Sequence, residues 1–161
     1  MKRNTMIGWT EREFSAAADL SQEVGARELL AVVLEEVLAV GPGAWSSGEK
    51  LPEFRPQMML TLVTYTYSVG IYGSRDLEDA MDTDPTIRYI CARSFPDWVS
   101  IRRFRRRNRD VVEQCLTRVL SRGWLQQWRG DDAAPGLEVA ARSAARERLD
   151  TAALMDGADS D

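Results

Sequence analysis

The stretch Arg55-Pro56-Gln57-Met58-Met59-Leu60-Thr61-Leu62-Val63-Thr64-Tyr65-Thr66-Tyr67-Ser68-Val69 decides the fold class. Thr61–Tyr67 is β-rich in composition, yet it is embedded in helix signals. Pro56 suits the first position of a helix, because the N–H it lacks has no intrahelical partner there. Met58, Met59, Leu60, Leu62, Val63, Tyr65 and Tyr67 then cover nearly all sides of a helix running to about Val69. A helix apolar on all sides belongs at the centre of a domain. The chain is therefore expected to be all-α, built around this segment.

Working outward, Thr10-Glu-Arg-Glu13 is a capping-box pattern that opens a short helix to about Leu20. A second helix is expected from about Ser21 to Ala39, with Leu30, Val33, Leu34, Val37 and Leu38 at helical spacing. Gly41-Pro42-Gly43 stops it, and a loop runs to Glu53. Beyond the central helix, Gly70 and Gly73 are breaks. Ser74 is expected to cap an acidic helix from Arg75 to Met81, and Asp84-Pro85 to start a short helix through Cys91. After a turn at Ser94–Asp97 comes an apolar stripe of Ile101, Phe104, Asn108, Val111/Val112, Cys115/Leu116 and Val119/Leu120. It fits one long helix or two with a bend near Asn108, ended by Gly123. The last part, from Gly130, has a weak Arg/Ala helix (Leu137–Leu149) and the acidic run Asp156-Gly-Ala-Asp-Ser-Asp161. It reads as largely mobile. The expectation is a compact bundle of about six helices, with a helix-turn-helix-like C-terminal part and a mobile acidic tail. It divides into an N-terminal helical segment and loop (1–53), a helical domain (54–125) and a polar tail (126–161).

The formal net charge of −4 argues against a nucleic-acid partner, but the distribution reverses that. From Thr86 to Arg129 there are 11 arginines and 3 acids, a local charge of +8 that leaves −12 for the rest of the chain. The absence of histidine excludes serine–histidine and cysteine–histidine triads and imidazole zinc sites. Cys91 and Cys115 sit in apolar helical contexts and read as reduced core thiols, with neither metal nor cofactor implied. The N-terminus lacks an apolar core of the secretory type, and no apolar run approaches the roughly 20 residues that span a bilayer. A cytoplasmic location without a membrane partner is the expectation.

Six of the eight residues from Arg102 to Arg109 are arginine. With Ile101 and Phe104 as apolar anchors, Arg102, Arg105, Arg106 and Arg109 recur on the opposite side of a helix opened near Asp97–Ser100. No acid lies between Asp97 and Asp110 to neutralise them within the helix. Duplex DNA is the commonest polyanion that fits such a surface, so these four are the candidate DNA-contacting residues. A solvated helix face is the second reading. Pairing with the acidic residues Asp76–Asp84 is the third. Arg103 and Arg107 lie nearer the Phe104 stripe and are expected to be structural.

From Phe54 to Gly123 the chain resembles the N-terminal domain of DDE-type insertion-sequence transposases. The resemblance rests on Arg55-Pro56 with Met58-Met59-Leu60, on Tyr67, Gly70, Ser74-Arg75, Leu77 and Ala80, on Asp84 with Ile87-Arg88-Tyr89-Ile90, and on Pro96-Asp97 with Ser100-Ile101 and Arg103-Phe104-Arg105. The chain departs from the family pattern at Trp98 and Asn108, where histidine is common. The resemblance implies binding to double-stranded DNA, as at element ends, and association with itself or with a full-length transposase. In that family a ribonuclease-H-like catalytic domain with three carboxylates follows. Here about 35 polar residues follow Gly123. The expectation is a truncated or free-standing DNA-binding part of a mobile element, not an enzyme. A non-catalytic protein-interaction or self-association module is the alternative.

Overall fold

The computed structural model describes residues 19–40, 54–128 and 136–159. These residues form eight helices and no strand: α1 Ser21–Val24, α2 Ala26–Ala39, α3 Pro56–Ser68, α4 Ser74–Ala80, α5 Pro85–Cys91, α6 Trp98–Arg107, α7 Arg109–Trp128 and α8 Leu137–Asp159. The all-α expectation holds. The capping-box helix expected before Leu20 falls outside the described residues, apart from its last two.

The central helix is α3, buried continuously from Met59 to Ser68. Its hydroxyl groups explain how a β-rich composition lives inside a helix. Thr61 donates to the Gln57 carbonyl at 2.8 Å, Thr66 to Val63 at 3.2 Å and Ser68 to Thr64 at 2.8 Å. Side-chain hydroxyls that bond back onto their own helix lose the cost of burial without needing outside partners. Helices α2, α5, α6 and α7 pack around α3. Cys91 and Cys115 are buried free thiols, and burial pushes both up to about 11.

Two boundaries differ from the sequence expectation, at Gly25 and Gly123, and of the two alternatives near Asn108 the bend is the one present. The helix expected over Ser21–Ala39 is broken at Gly25, whose φ of +91° belongs to a region that L side chains rarely adopt. Arg102–Leu120 resolves into two helices, with Asn108 at φ −120° and ψ 32° between them. Its amide donates to the Phe104 carbonyl at 3.2 Å and so serves the end of α6. Gly123, expected to end the second of these helices, lies inside α7, which runs on to Trp128. The glycine marks a close approach instead: a Cβ built there would stand 2.6 Å from Leu20 Cδ2. Gly123→Ala is therefore expected to lower stability by about 1–3 kcal/mol through overpacking, despite its better helix propensity. A urea melt checks this, and an alanine variant more stable than the parent would contradict it.

The largest difference is at the C-terminus. The weak helix expected at Leu137–Leu149 within a largely mobile tail is present as the 23-residue helix α8, which runs on to Asp159 and is packed into the core. Its stripe Leu137, Ala141, Ala145, Leu149 and Ala152 is buried in the same core cluster as α2, α3 and α7. Alanines make a weak hydrophobic signal in sequence, but they let α8 lie close along α7. One core thus runs from Leu20 to Ala152, across the boundary expected near residue 125.

Two buried ionic side chains of α8 clasp the corner between α3 and α4. Arg148 donates to the Tyr67 carbonyl at 2.6 Å, at the C-terminal end of α3. A cation there satisfies a carbonyl that the helix itself leaves unpaired. Desolvation by burial lowers the pKa of this guanidinium. Eight residues on, Asp156 accepts from the backbone N–H and the hydroxyl of Ser74, both at 2.8 Å. Ser74, expected to cap its own helix, is the first residue of α4, and the capping acceptor comes from α8.

Candidate nucleic-acid interface

Helix α6 starts at Trp98 because Asp97 caps it, accepting from the Ser100 N–H at 2.9 Å. Hydrogen bonds from the Ser100 side chain and backbone hold the Asp97 carboxyl below its ordinary range, against a smaller opposing effect of desolvation. A depressed folded pKa means that the stabilisation is present above the unfolded value of about 3.9 and fades as pH falls through the folded value. Asp97→Ala is expected to cost about 0.5–1 kcal/mol at pH 7, at the low end for a cap because the site is exposed. The gap between parent and variant should close as thermal melts are taken below pH 4.

The arginines of α6 and the start of α7 separate sharply by environment. Arg105, expected on the DNA face, is buried with 3% exposure. Its guanidinium pairs with the equally buried Asp156 at 2.7 Å. The buried stripe of α6 is Ile101–Arg105–Asn108, not Ile101–Phe104, and Phe104 is only half-buried. A buried arginine needs its charge or its N–H groups satisfied inside the protein, and for Arg105 Asp156 supplies a counter-charge from 51 residues away. Arg109 lies at the start of the next helix and meets Asp150 of α8 at 2.7 Å across the surface. Neither Arg105 nor Arg109 belongs to an open cationic face.

The face that α6 does turn outward carries Arg103, Arg106 and Arg107, all exposed, with half-buried Arg102 beside them. With Val99, 37% exposed, these four arginines line a shallow depression of about 270 Å³. Two of them, Arg103 and Arg107, were expected to be structural. The i, i+4, i+7 series Val99, Arg103, Arg106 marks the outer line of this face. At its edge, Trp98 meets two guanidinium groups. Arg75 of α4 lies 4.2 Å from its ring centroid and Arg102 lies 5.4 Å away. The acidic residues Asp76 and Asp79 of α4 stay solvent-exposed, and the buried arginine of α6 takes its partner from α8 instead. Among the described residues, no three of Cys, Asp and Glu converge as a metal site. No helix of the described residues is long and apolar enough to cross a membrane.

Residues 21–107, α1 through α6, match the family described as Transposase domain (DUF772). That span is more than half of the chain. The chain belongs to the transposase domain family. No curated protein and no solved structure matches it. The family segment of this transposase domain begins earlier than the resemblance noted at Phe54 and takes in α2. It ends at Arg107, the last arginine of the outward face. Helices α7 and α8, and with them Arg109, Asp150 and Asp156, lie beyond it. The buried pair Arg105–Asp156 therefore joins the family segment to the part of the chain outside it.

Proposed function

We propose that this transposase domain holds double-stranded DNA, such as the ends of a mobile element, on the outward face of α6. The observation that carries this reading is the sorting of the arginines. One is neutralised in the core, while Arg102, Arg103, Arg106 and Arg107 are gathered outward around Val99 with no acid among them in the helix. Like charges held side by side cost stability, and an anionic partner offsets that cost. In this reading α6 is the recognition helix, presented on α4 more than on the preceding α5. Its four outward arginines, Arg102, Arg103, Arg106 and Arg107, meet the phosphates that flank the groove. The domain serves transposition of the DDE type by holding DNA and does no strand chemistry itself. Fluorescence anisotropy with a labelled 20-base-pair duplex tests the reading. Four phosphate-neutralising arginines predict a slope of log affinity against log salt of about −3 to −4. A slope near zero, or no binding at low salt, would remove the DNA reading.

A second reading, self-association, has one observation in its favour. Leu38 and Tyr89, each 72% exposed, flank an apolar groove between α2, α3 and α5 that also takes in Leu34 and Met58. Exposed apolar surface of this kind marks interaction sites. Light scattering across a concentration series separates a monomer from a dimer.

A further inference from the structure

One apolar side chain of α6 is turned outward among its arginines. Val99 is 37% exposed and shares the outer line of the helix with Arg103 and Arg106, both exposed. Among the described residues it is the only uncharged one that lines the depression of about 270 Å³. The Asp97 cap starts α6 at Trp98, so Val99 stands in the first turn. Two other apolar residues of this helix serve the core: Ile101 is fully buried, and Phe104 packs against the same cluster. Val99 is outside that cluster, and a β-branched residue has no helix propensity to recommend it for an exposed first turn. Its exposed methyl groups leave water only against a partner. On a duplex the choice is narrow. The major-groove edges of the bases present hydrogen-bond donors and acceptors and one apolar group, the 5-methyl of thymine.

We propose that Val99 is a specificity-determining residue that packs on a thymine 5-methyl group in the major groove, between the phosphates that the arginines of α6 meet. This rests on the DNA reading above and deepens it by naming the base. The arginines set how strongly any duplex is held, because phosphates carry no sequence information. Val99 adds a preference among duplexes of the same charge. A first-turn residue suits this role, since recognition helices approach the base edges with their N-terminal residues.

Anisotropy titrations of the full chain, over a salt series, test it with two duplexes of A·T pairs. They are identical except that deoxyuridine replaces every thymine in the second. The exchange removes the methyl groups and keeps the charge and the base pairing. The parent should bind the thymine duplex about two- to five-fold more tightly, the worth of one methyl group taken out of water. The salt slopes on the two duplexes should coincide, because no phosphate contact changes. Val99→Ser lies off the buried stripe and should melt as the parent does. It should bind both duplexes equally, at the parent's affinity for the deoxyuridine duplex. Val99→Leu keeps an apolar side chain and should keep a preference for thymine. Equal, salt-dependent binding of both duplexes by the parent overturns the role of Val99 and leaves the DNA reading standing. A preference that survives undiminished in Val99→Ser overturns that role too, because the shape of the duplex or another residue then sets it. A parent that binds neither duplex overturns both this inference and the reading on which it rests.

Discussion

Replacing Asp156 with alanine is expected to destabilise the fold by about 3–5 kcal/mol, although Asp156 opens the acidic run at the end of the sequence. The buried partners of the carboxylate include the Arg105 guanidinium at 2.7 Å and the Ser74 backbone N–H and hydroxyl, each at 2.8 Å. Removing it leaves a cation in the core with no counter-charge and strips the start of α4 of its acceptor. The Nε–H of Arg105 is already buried without a hydrogen-bond partner among the described residues, so the site has no surplus of acceptors for this guanidinium. Burial pushes the Tyr67 phenol above its ordinary value, which keeps it neutral and unable to replace the lost anion. The loss is a large fraction of the 5–15 kcal/mol that typically holds a domain together. The double variant Arg105→Met/Asp156→Leu should recover much of the stability, because replacing a buried pair by apolar groups of similar volume is often neutral. Urea melts of the three proteins check this. An Asp156→Ala midpoint close to the parent's would mean that the pair does not clasp α4, α6 and α8 together.

The same pair shows where a reading of the sequence stops. The helices themselves were legible. Pro56, Asp84-Pro85 and Asp97 are start signals whose physics is local, and each opens a helix where expected. The arginine run was legible as a cationic helix, but its register was not. Ile101–Phe104 and Ile101–Arg105–Asn108 are both helical spacings. Hydrophobicity favours the first, and only a buried acid on another helix makes the second possible. Asp156 is that acid, and nothing in the sequence around it separates it from Asp159 and Asp161 of the same acidic run. Helix α8 was legible only as a weak helix over Leu137–Leu149, and its length and burial were hidden for a related reason. Its buried stripe is mostly alanine, and its two buried ionic residues, Arg148 and Asp156, look like solubilising charges until their partners are known. Gly123 reads as a stop in isolation and becomes a contact point only because Leu20 packs on it from over 100 residues earlier.

The second large effect expected is on DNA. Neutralising Arg103, Arg106 and Arg107 together removes three exposed guanidinium groups from the outward face of α6. None of them is on the buried stripe, so the fold should survive with little change; surface substitutions of this kind usually shift stability by about 0.5 kcal/mol or less. Each phosphate contact contributes about 0.9 to the salt slope, so the triple alanine variant should lose about 2.7 of it. At about 0.1 M salt that corresponds to two to three orders of magnitude in affinity. Arg109→Ala, by contrast, breaks only an exposed pair with Asp150 and should leave both melting and DNA affinity near parental values.

The most direct test is a side-by-side salt titration of the parent and the Arg103/Arg106/Arg107 triple alanine variant against one duplex, with melting followed on the same samples. The expected result is a parent slope of about −3 to −4, a triple-variant slope near −1, and coincident melting curves. A triple variant that binds as tightly and as salt-dependently as the parent would contradict the outward face of α6 as the DNA-holding surface.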